Sequence, residues 1–248
     1  MIDSNPEWFT QALAVAKEQR SIEVEGNIVA YQKWGDSSKT GMVLVHGSGS
    51  HSHWWDFIAP LLLEDFQISA IDLSGMGDSG HREDYSPELY GKEILSVAED
   101  SGFFEIGDPI ICGHSMGGFM SATAGYISDK KIGGVIMVDS PIRPPTYDYS
   151  THVRSGPIRR IKTYPDRESI LERFRLTPEQ DCENEYLVKY IAEWSIKEAN
   201  NGYQWKFDDT IFDKLGFSHM LRNIAFELDC RLGVIYGTES NMMTDEIL

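Results

Sequence analysis

Apolar positions along the chain gather into five short blocks separated by turn-forming residues: 42–46 (MVLVH), 67–71 (QISAI), 109–112 (PIIC), 134–138 (GVIMV) and 232–236 (LGVIY). Each is rich in branched side chains and too short for a helix. That pattern predicts strands buried on both faces of a parallel sheet. Residues 21–35 (SIEVEGNIVAYQKWG) instead alternate around Gly26-Asn27, which predicts a β-hairpin. Between the blocks the spacing becomes helical. Asn5-Pro6 predicts a helix start with Asn5 as cap and Pro6 in the first turn, followed by Trp8, Phe9, Ala12, Leu13 and Ala16 at helical intervals. Ser86-Pro87-Glu88 opens another, with Tyr90, Ile94, Val97 and Ala98 on one face. Phe119, Met120, Thr123, Ala124 and Ile127 repeat the arrangement. Strands alternating with helices predict an α/β fold: a mostly parallel sheet, helices on both faces, right-handed crossovers.

The alternation breaks after residue 140. Pro141, Pro144, Pro145 and Pro157 mark an irregular exit. Helical patterns follow through Ile170, Leu171 and Phe174, then Tyr186, Leu187, Tyr190, Ile191 and Trp194. Residues 141–225 are therefore expected to be an all-helical insertion, a lid over the carboxyl edge of the sheet, where open α/β sheets bind ligands. The expected organisation is a core at 1–140, a helical cap at 141–225, and a core that resumes at 226–248 and is cut short. No repeat or low-complexity segment interrupts it.

The chain has 248 residues and a formal net charge of −17. Such a surface repels phosphate backbones and anionic lipid, so a nucleic-acid or membrane partner is not expected. No uninterrupted apolar run approaches the roughly 18 residues of a membrane span. The first residues lack the basic and apolar regions of a signal peptide. Three widely spaced cysteines, Cys112, Cys182 and Cys230, form no CxxC pair and suit reduced thiols in the cytoplasm.

Candidate chemistry centres on ICGHSMGG, residues 111–118. Gly113-x-Ser115-x-Gly117 follows a predicted strand and precedes a predicted helix, the context of a nucleophile elbow. A strand-to-helix turn that tight needs small residues two before and two after the serine. It presents the hydroxyl at a helix N-terminus, where the dipole and free amides favour developing negative charge. A second motif, His46-Gly47-Ser48-Gly49-Ser50, closes the first predicted parallel strand. In an elbow hydrolase, one oxyanion donor is the amide after the nucleophile, here Met116. The other comes from the loop after the earlier strand, here Ser48 or Gly49, with Ser48 the expected donor.

The pieces HGSGSHSHWW (46–55), IDLSGMGDSG (71–80), GHSMGG (113–118), VDSP (138–141) and VIYGTE (234–239) resemble, in order, the α/β-hydrolase fold family with a helical cap. The resemblance covers nearly the whole sheet domain. It implies a catalytic order of serine, acid, histidine, with the histidine following the strand after 232–236. The seven histidines of this chain offer no clear base. His46 is expected to support its own loop, and His51 and His53 to line the pocket. His81 falls in a polar loop, His114 flanks the nucleophile, and His152 and His219 belong to the cap. The resemblance therefore implies a base beyond Leu248 and a chain ending before it. The common acid position of the family falls on Ser240, which cannot serve. Asp139, at the end of the 134–138 run, or Glu239 remains, with Asp139 favoured; Asp245 is too far along. Asp72 and Asp78 are expected to hold a loop.

The expectation is a cytoplasmic serine hydrolase acting on a small-molecule acyl or ester substrate. Ser115 is the nucleophile, Asp139 the acid, and Ser48 and Met116 the oxyanion donors, with no metal and no cofactor. Carbon–carbon bond hydrolysis by the same residues and a non-catalytic ligand-binding protein are the alternatives. The oligomeric state is left open.

Overall fold

A computed structural model describes residues 5–141, 160–215, 224–240 and 242–243. Helix α1 (Glu7–Leu13) starts one residue later than the Asn5 cap predicts: Pro6 occupies the cap position, its ψ of 143° being extended rather than helical. The hairpin β1 (Glu18–Val24) and β2 (Asn27–Trp34) follows, paired from Glu18↔Lys33 to Val24↔Asn27. Its corner is Glu25-Gly26, both at positive φ, so Asn27 is a strand residue and not part of the turn.

Strands β3 (Thr40–Val45) and β4 (Phe66–Ile71) coincide with the first two apolar runs. Helix α2 (Pro87–Asp100) starts where Ser86-Pro87 predicts, with the Ser86 side chain accepting from the Leu89 amide. A short α3 (Phe103–Ile106), β5 (Ile110–His114), α4 (Met116–Ile127) and β6 (Gly134–Val138) complete the first half. The second half contains α5 (Arg167–Leu171), α6 (Glu185–Trp194), β7 (Ile196–Ala199), β8 (Gly202–Trp205), α7 (Ile211–Lys214), α8 (Ile224–Glu227) and β9 (Arg231–Ile235).

Seven strands form one sheet in the order β1-β2-β4-β3-β5-β6-β9. The hairpin joins antiparallel to β4, and the remaining pairs are parallel. The two-face burial predicted for the central runs holds on β3 and β4, while on β5 and β6 the Ile110, Cys112, Ile136 and Val138 positions are half-buried. On β3, Val43 and Val45 enter the cluster with Ile94, Val97 and Met120, while Met42 and Leu44 enter the opposite cluster with Trp34, Ala59 and Ile68. Each such side chain contributes about 1.5–3 kcal/mol on removal from water. Helices α2 and α4 cross closely: a Cβ on Gly91 would sit 3.2 Å from the Ala124 nitrogen.

Two expectations are corrected. The 232–236 run forms the edge strand β9 and is not buried on both faces. Val234, Ile235 and Tyr236 are 42%, 57% and 43% exposed, because no described strand pairs with its outer edge. The insertion is not all-helical either: β7 and β8 form an antiparallel hairpin after α6. That hairpin lies against the core through a bridge between Met76 and Phe207, with Gly77 donating to the Lys206 carbonyl (2.8 Å) and Asp208 to that of Gly75 (2.6 Å). Residues 142–159, including His152, fall outside the described residues, as do His219 and Asp245.

Candidate active site

The turn between β5 and α4 is built by close backbone approach. A Cβ on Gly113 would lie 2.2 Å from the Gly117 carbonyl oxygen, and one on Gly117 would lie 2.3 Å from that of His46. Real Cβ atoms do not come so close, so both positions require glycine. Between them Ser115 sits at φ 52°, ψ −121°, a conformation that L-residues rarely adopt. Three hydrogen bonds hold it there. Its amide donates to the Val138 carbonyl (2.8 Å), and its carbonyl accepts from the Gly118 amide (3.0 Å) and the Ser140 hydroxyl (2.8 Å). Ser115 is half-buried and immediately precedes the twelve-residue helix α4.

The 46–50 loop lies against this turn. A Cβ on Gly47 would be 3.4 Å from that of Ser115 and 3.1 Å from His114 Nδ1. His46 fixes the loop from below. Its Nε2 accepts from the Leu73 amide (3.1 Å), so its hydrogen is on Nδ1 and donates to the Gly47 carbonyl (2.7 Å). Burial holds its pKa below the usual value and keeps it neutral. The Gly49 amide donates to the Met76 sulfur (3.3 Å). The Ser48 and Met116 amides donate to no described residue. Of the two loop donors that the sequence left open, Ser48 is the one whose N–H has no acceptor among the described residues.

Asp139 follows β6 as Ser115 follows β5. It too has positive φ, 48°, and its amide donates one strand over, to the Ile235 carbonyl (2.7 Å). Its Oδ2 accepts from the Ser240 hydroxyl (2.8 Å), which itself accepts from the Met242 amide (3.2 Å). Its Oδ1 is buried without a partner among the described residues. Glu239 is exposed. Ser240, unfit to be the acid, is thus the residue that holds Asp139.

No described histidine is hydrogen-bonded to Ser115. His51 and His53 face the insertion. His51 Nε2 is 2.9 Å from Ser195 Oγ, which is also 2.8 Å from the Ile191 carbonyl. The arrangement satisfying both contacts has Ser195 donating to Ile191 and accepting from His51. Burial pushes the His51 pKa well below the usual value. His53 Nδ1 is 2.6 Å from Asp56 Oδ2, and its ring stacks on Trp194 at 3.6 Å. Lys17 Nζ reaches the same Asp56 oxygen (2.6 Å), as does the Tyr190 hydroxyl. This buried cluster was not foreseen; its partners lie as far apart in sequence as Asp56 and Tyr190. Both histidines are therefore bound at the end of α6 or to the residues packed on it. His114 is largely buried, which depresses its pKa against the opposing pull of the Asp139 charge. The His81 side chain is partly exposed, 3.9 Å from Asp208.

Asp72 holds a loop, as expected. Its Oδ1 accepts from the Ser52 amide (2.5 Å) and its Oδ2 from that of Asp78 (2.8 Å). Cys112, Cys182 and Cys230 form no disulfide, and burial pushes the Cys112 thiol up to about 11. No described helix is long and apolar enough to cross a membrane. A cavity of about 410 Å³ between α5 and α6 is lined by Leu171, Phe174, Val188 and Ala192 among others; no residue of the Ser115 site borders it.

Comparison with known proteins agrees with this architecture. The chain is 30% identical over 235 aligned residues to a serine hydrolase-like protein of Danio rerio, covering 86% of this chain and 66% of that one. It is 29% identical over 104 residues to the pimeloyl-[acyl-carrier protein] methyl ester esterase of Edwardsiella ictaluri, covering 42% and 38%. The chain thus spans less than two thirds of the length of either relative. Among solved structures, an esterase from Mycobacterium tuberculosis superposes with a TM-score of 0.70 at 21% identity, covering 97% of this chain and 80% of that one. The model of the alpha/beta hydrolase family matches residues 42–213, and the chain belongs to that family.

Proposed function

We propose that the protein is a serine hydrolase that cleaves small-molecule esters or related acyl compounds. The observation that carries the reading is the Ser115 turn: a strained, half-buried serine at the start of α4, against a loop with a free amide. Ser115 Oγ attacks the acyl carbonyl carbon while a histidine takes its proton. The carbonyl electron pair moves onto oxygen, and the Ser48 and Met116 amides receive that oxyanion. Collapse expels the alcohol, which takes the proton from the histidine. Water then attacks the acyl-serine by the reverse sequence and releases the acid.

Asp139 is the carboxylate that orients the histidine. One of its oxygens is taken by Ser240, and the other is buried and open to an imidazole N–H. We place that histidine on a segment that pairs with the free edge of β9, outside the described residues. The outer edge of β9 pairs with no described strand and carries the exposed Val234 and Ile235, and an uncovered edge of that kind is a liability that proteins usually cover; its inner edge is tied to Asp139 through the Ile235 carbonyl.

A fluorophosphonate probe tests the reading. The full-length protein should be labelled at Ser115, and Ser115→Ala should abolish labelling. A serine that stays unlabelled in the full-length protein would favour the second reading, a ligand-binding protein. That reading draws support from the lack of a described histidine bonded to Ser115. A serine deprived of its base loses on the order of 10⁶ in turnover.

A further inference from the structure

We propose that the inserted segment sets the position of the oxyanion donors through a closed ring of contacts, in which Met76 and Ser195 are positioning residues; this rests on the serine-hydrolase reading above. The ring starts in the 46–50 loop, where the Gly49 amide donates to the Met76 sulfur (3.3 Å). The next residue, Gly77, donates through its amide to the Lys206 carbonyl (2.8 Å), and the Lys206 amide donates to the Ser195 carbonyl (2.8 Å). The Ser195 hydroxyl accepts from His51 Nε2 (2.9 Å), and His51 closes the ring two residues after Gly49.

The segment that follows the Ser48 amide is thus gripped twice, at Gly49 and at His51, and both grips lead to one short stretch of the insertion. Met76 binds the Gly49 amide, and that of Ser48 has no acceptor among the described residues. The Ser195 side of the ring is stiffened by its neighbours, since Trp194 stacks on His53 and Tyr190 bonds to Asp56. Met76 and Ser195 are both buried, and neither is hydrogen-bonded to Ser115. Breaking either link opens the ring and loosens the stretch from Ser48 to His51, while His46 still holds the start of the loop.

Amide hydrogen exchange on the full-length protein tests the ring. Met76→Leu and Ser195→Ala should each speed exchange across residues 46–50 by roughly three- to tenfold, the net effect of one hydrogen bond. The double variant should be little faster than the faster single one, because the two act on one ring. Both variants should also lower the maximal rate of fluorophosphonate labelling and leave its half-saturating concentration in place. Exchange that rises in Ser195→Ala only within 185–206, with 46–50 at the wild-type rate, overturns the ring. Should Ser195→Ala not fold, Met76→Leu tests the same link from the core side and must loosen 46–50 and, through His51, the 194–196 turn. Exchange needs no turnover, so it decides the coupling separately from labelling, whose absence in the wild type would instead remove the serine-hydrolase reading.

Discussion

Gly117→Ala probes the contact on which the whole site is built. The added methyl would lie 2.3 Å from the His46 carbonyl oxygen and 2.6 Å from that of Val45, whereas real Cβ atoms essentially never approach within 3.0 Å. Relief needs an opening of at least 0.7 Å between α4 and the end of β3, and both obstacles are backbone. Overpacking of this kind costs about 3 kcal/mol at the upper end of its usual range. Replacing glycine by alanine inside a helix returns about 1 kcal/mol. The net loss of about 2 kcal/mol corresponds to a Tm lowered by roughly 4–8 °C for a chain of this size. The same opening moves the 46–50 loop away from Ser115, and a misplacement near 1 Å can slow chemistry by on the order of 10². Thermal melts and fluorophosphonate labelling measure the two effects. Gly233→Ala is the control, because its Cβ would meet nothing closer than 3.8 Å. If Gly117→Ala melts with the control and labels at the wild-type rate, the close approach of α4 to the His46 loop is wrong.

Asp139→Asn should slow labelling of the full-length protein by on the order of 10³–10⁴, as loss of the orienting carboxylate does elsewhere, while Glu239→Gln should leave it unchanged; the reverse pattern would move the acid to Glu239. Stability should fall on acidification below about pH 6.5, the unperturbed histidine pKa. The folded-state pKa values of His46 and His51 are depressed, so in that window the unfolded chain binds more protons than the folded one, with a slope of up to about 1.4 kcal/mol per pH unit for each histidine. Tm measured from pH 8 to pH 5 checks it: a flat profile refutes the neutral burial of both rings, and His51→Gln should make the wild-type slope shallower. Ser115→Gly should raise Tm by about 2–5 °C, because relief of a strained φ (about 2 kcal/mol at mid-range) exceeds the backbone entropy cost of glycine (about 0.75 kcal/mol); a Tm below that of Ser115→Ala would show that the backbone there is unstrained.

What could be read from the sequence was local. The β3, β4, β5 and β6 runs are legible because strands covered wholly or partly on both faces leave an unbroken apolar block, and Gly113-x-Ser115-x-Gly117 is legible because its steric demand falls within five residues. The β9 run has the same composition but lies at the edge, since nothing in LGVIY records whether a neighbour covers it. The β7–β8 hairpin escaped because its strands, IKEA and GYQW, are half-exposed and mix charge with aromatic residues. The choice between Asp139 and Glu239 turns on a bond from Ser240, 101 residues along the chain, and the grip on the 46–50 loop depends on Ser195, 144 residues from His51. No periodicity carries contacts at that range.

Backbone strain links these separate observations. Among the described residues, three non-glycine positions have positive φ: Glu25, Ser115 and Asp139. Glu25 turns a hairpin, where such a conformation is ordinary. The other two occupy equivalent places just past neighbouring parallel strands, each tied by its amide to the next strand over, Ser115 to Val138 and Asp139 to Ile235. Strain of about 1–3 kcal/mol falls on Ser115, whose ψ of −121° lies outside the left-handed region, and functional turns store strain of that kind; Asp139 is the milder case, since aspartate enters positive φ more readily than most residues. Both steps run toward β9. A group that completed the series would come from beyond β9, where no described strand pairs, and the buried Asp139 Oδ1 still has no described partner to exclude it.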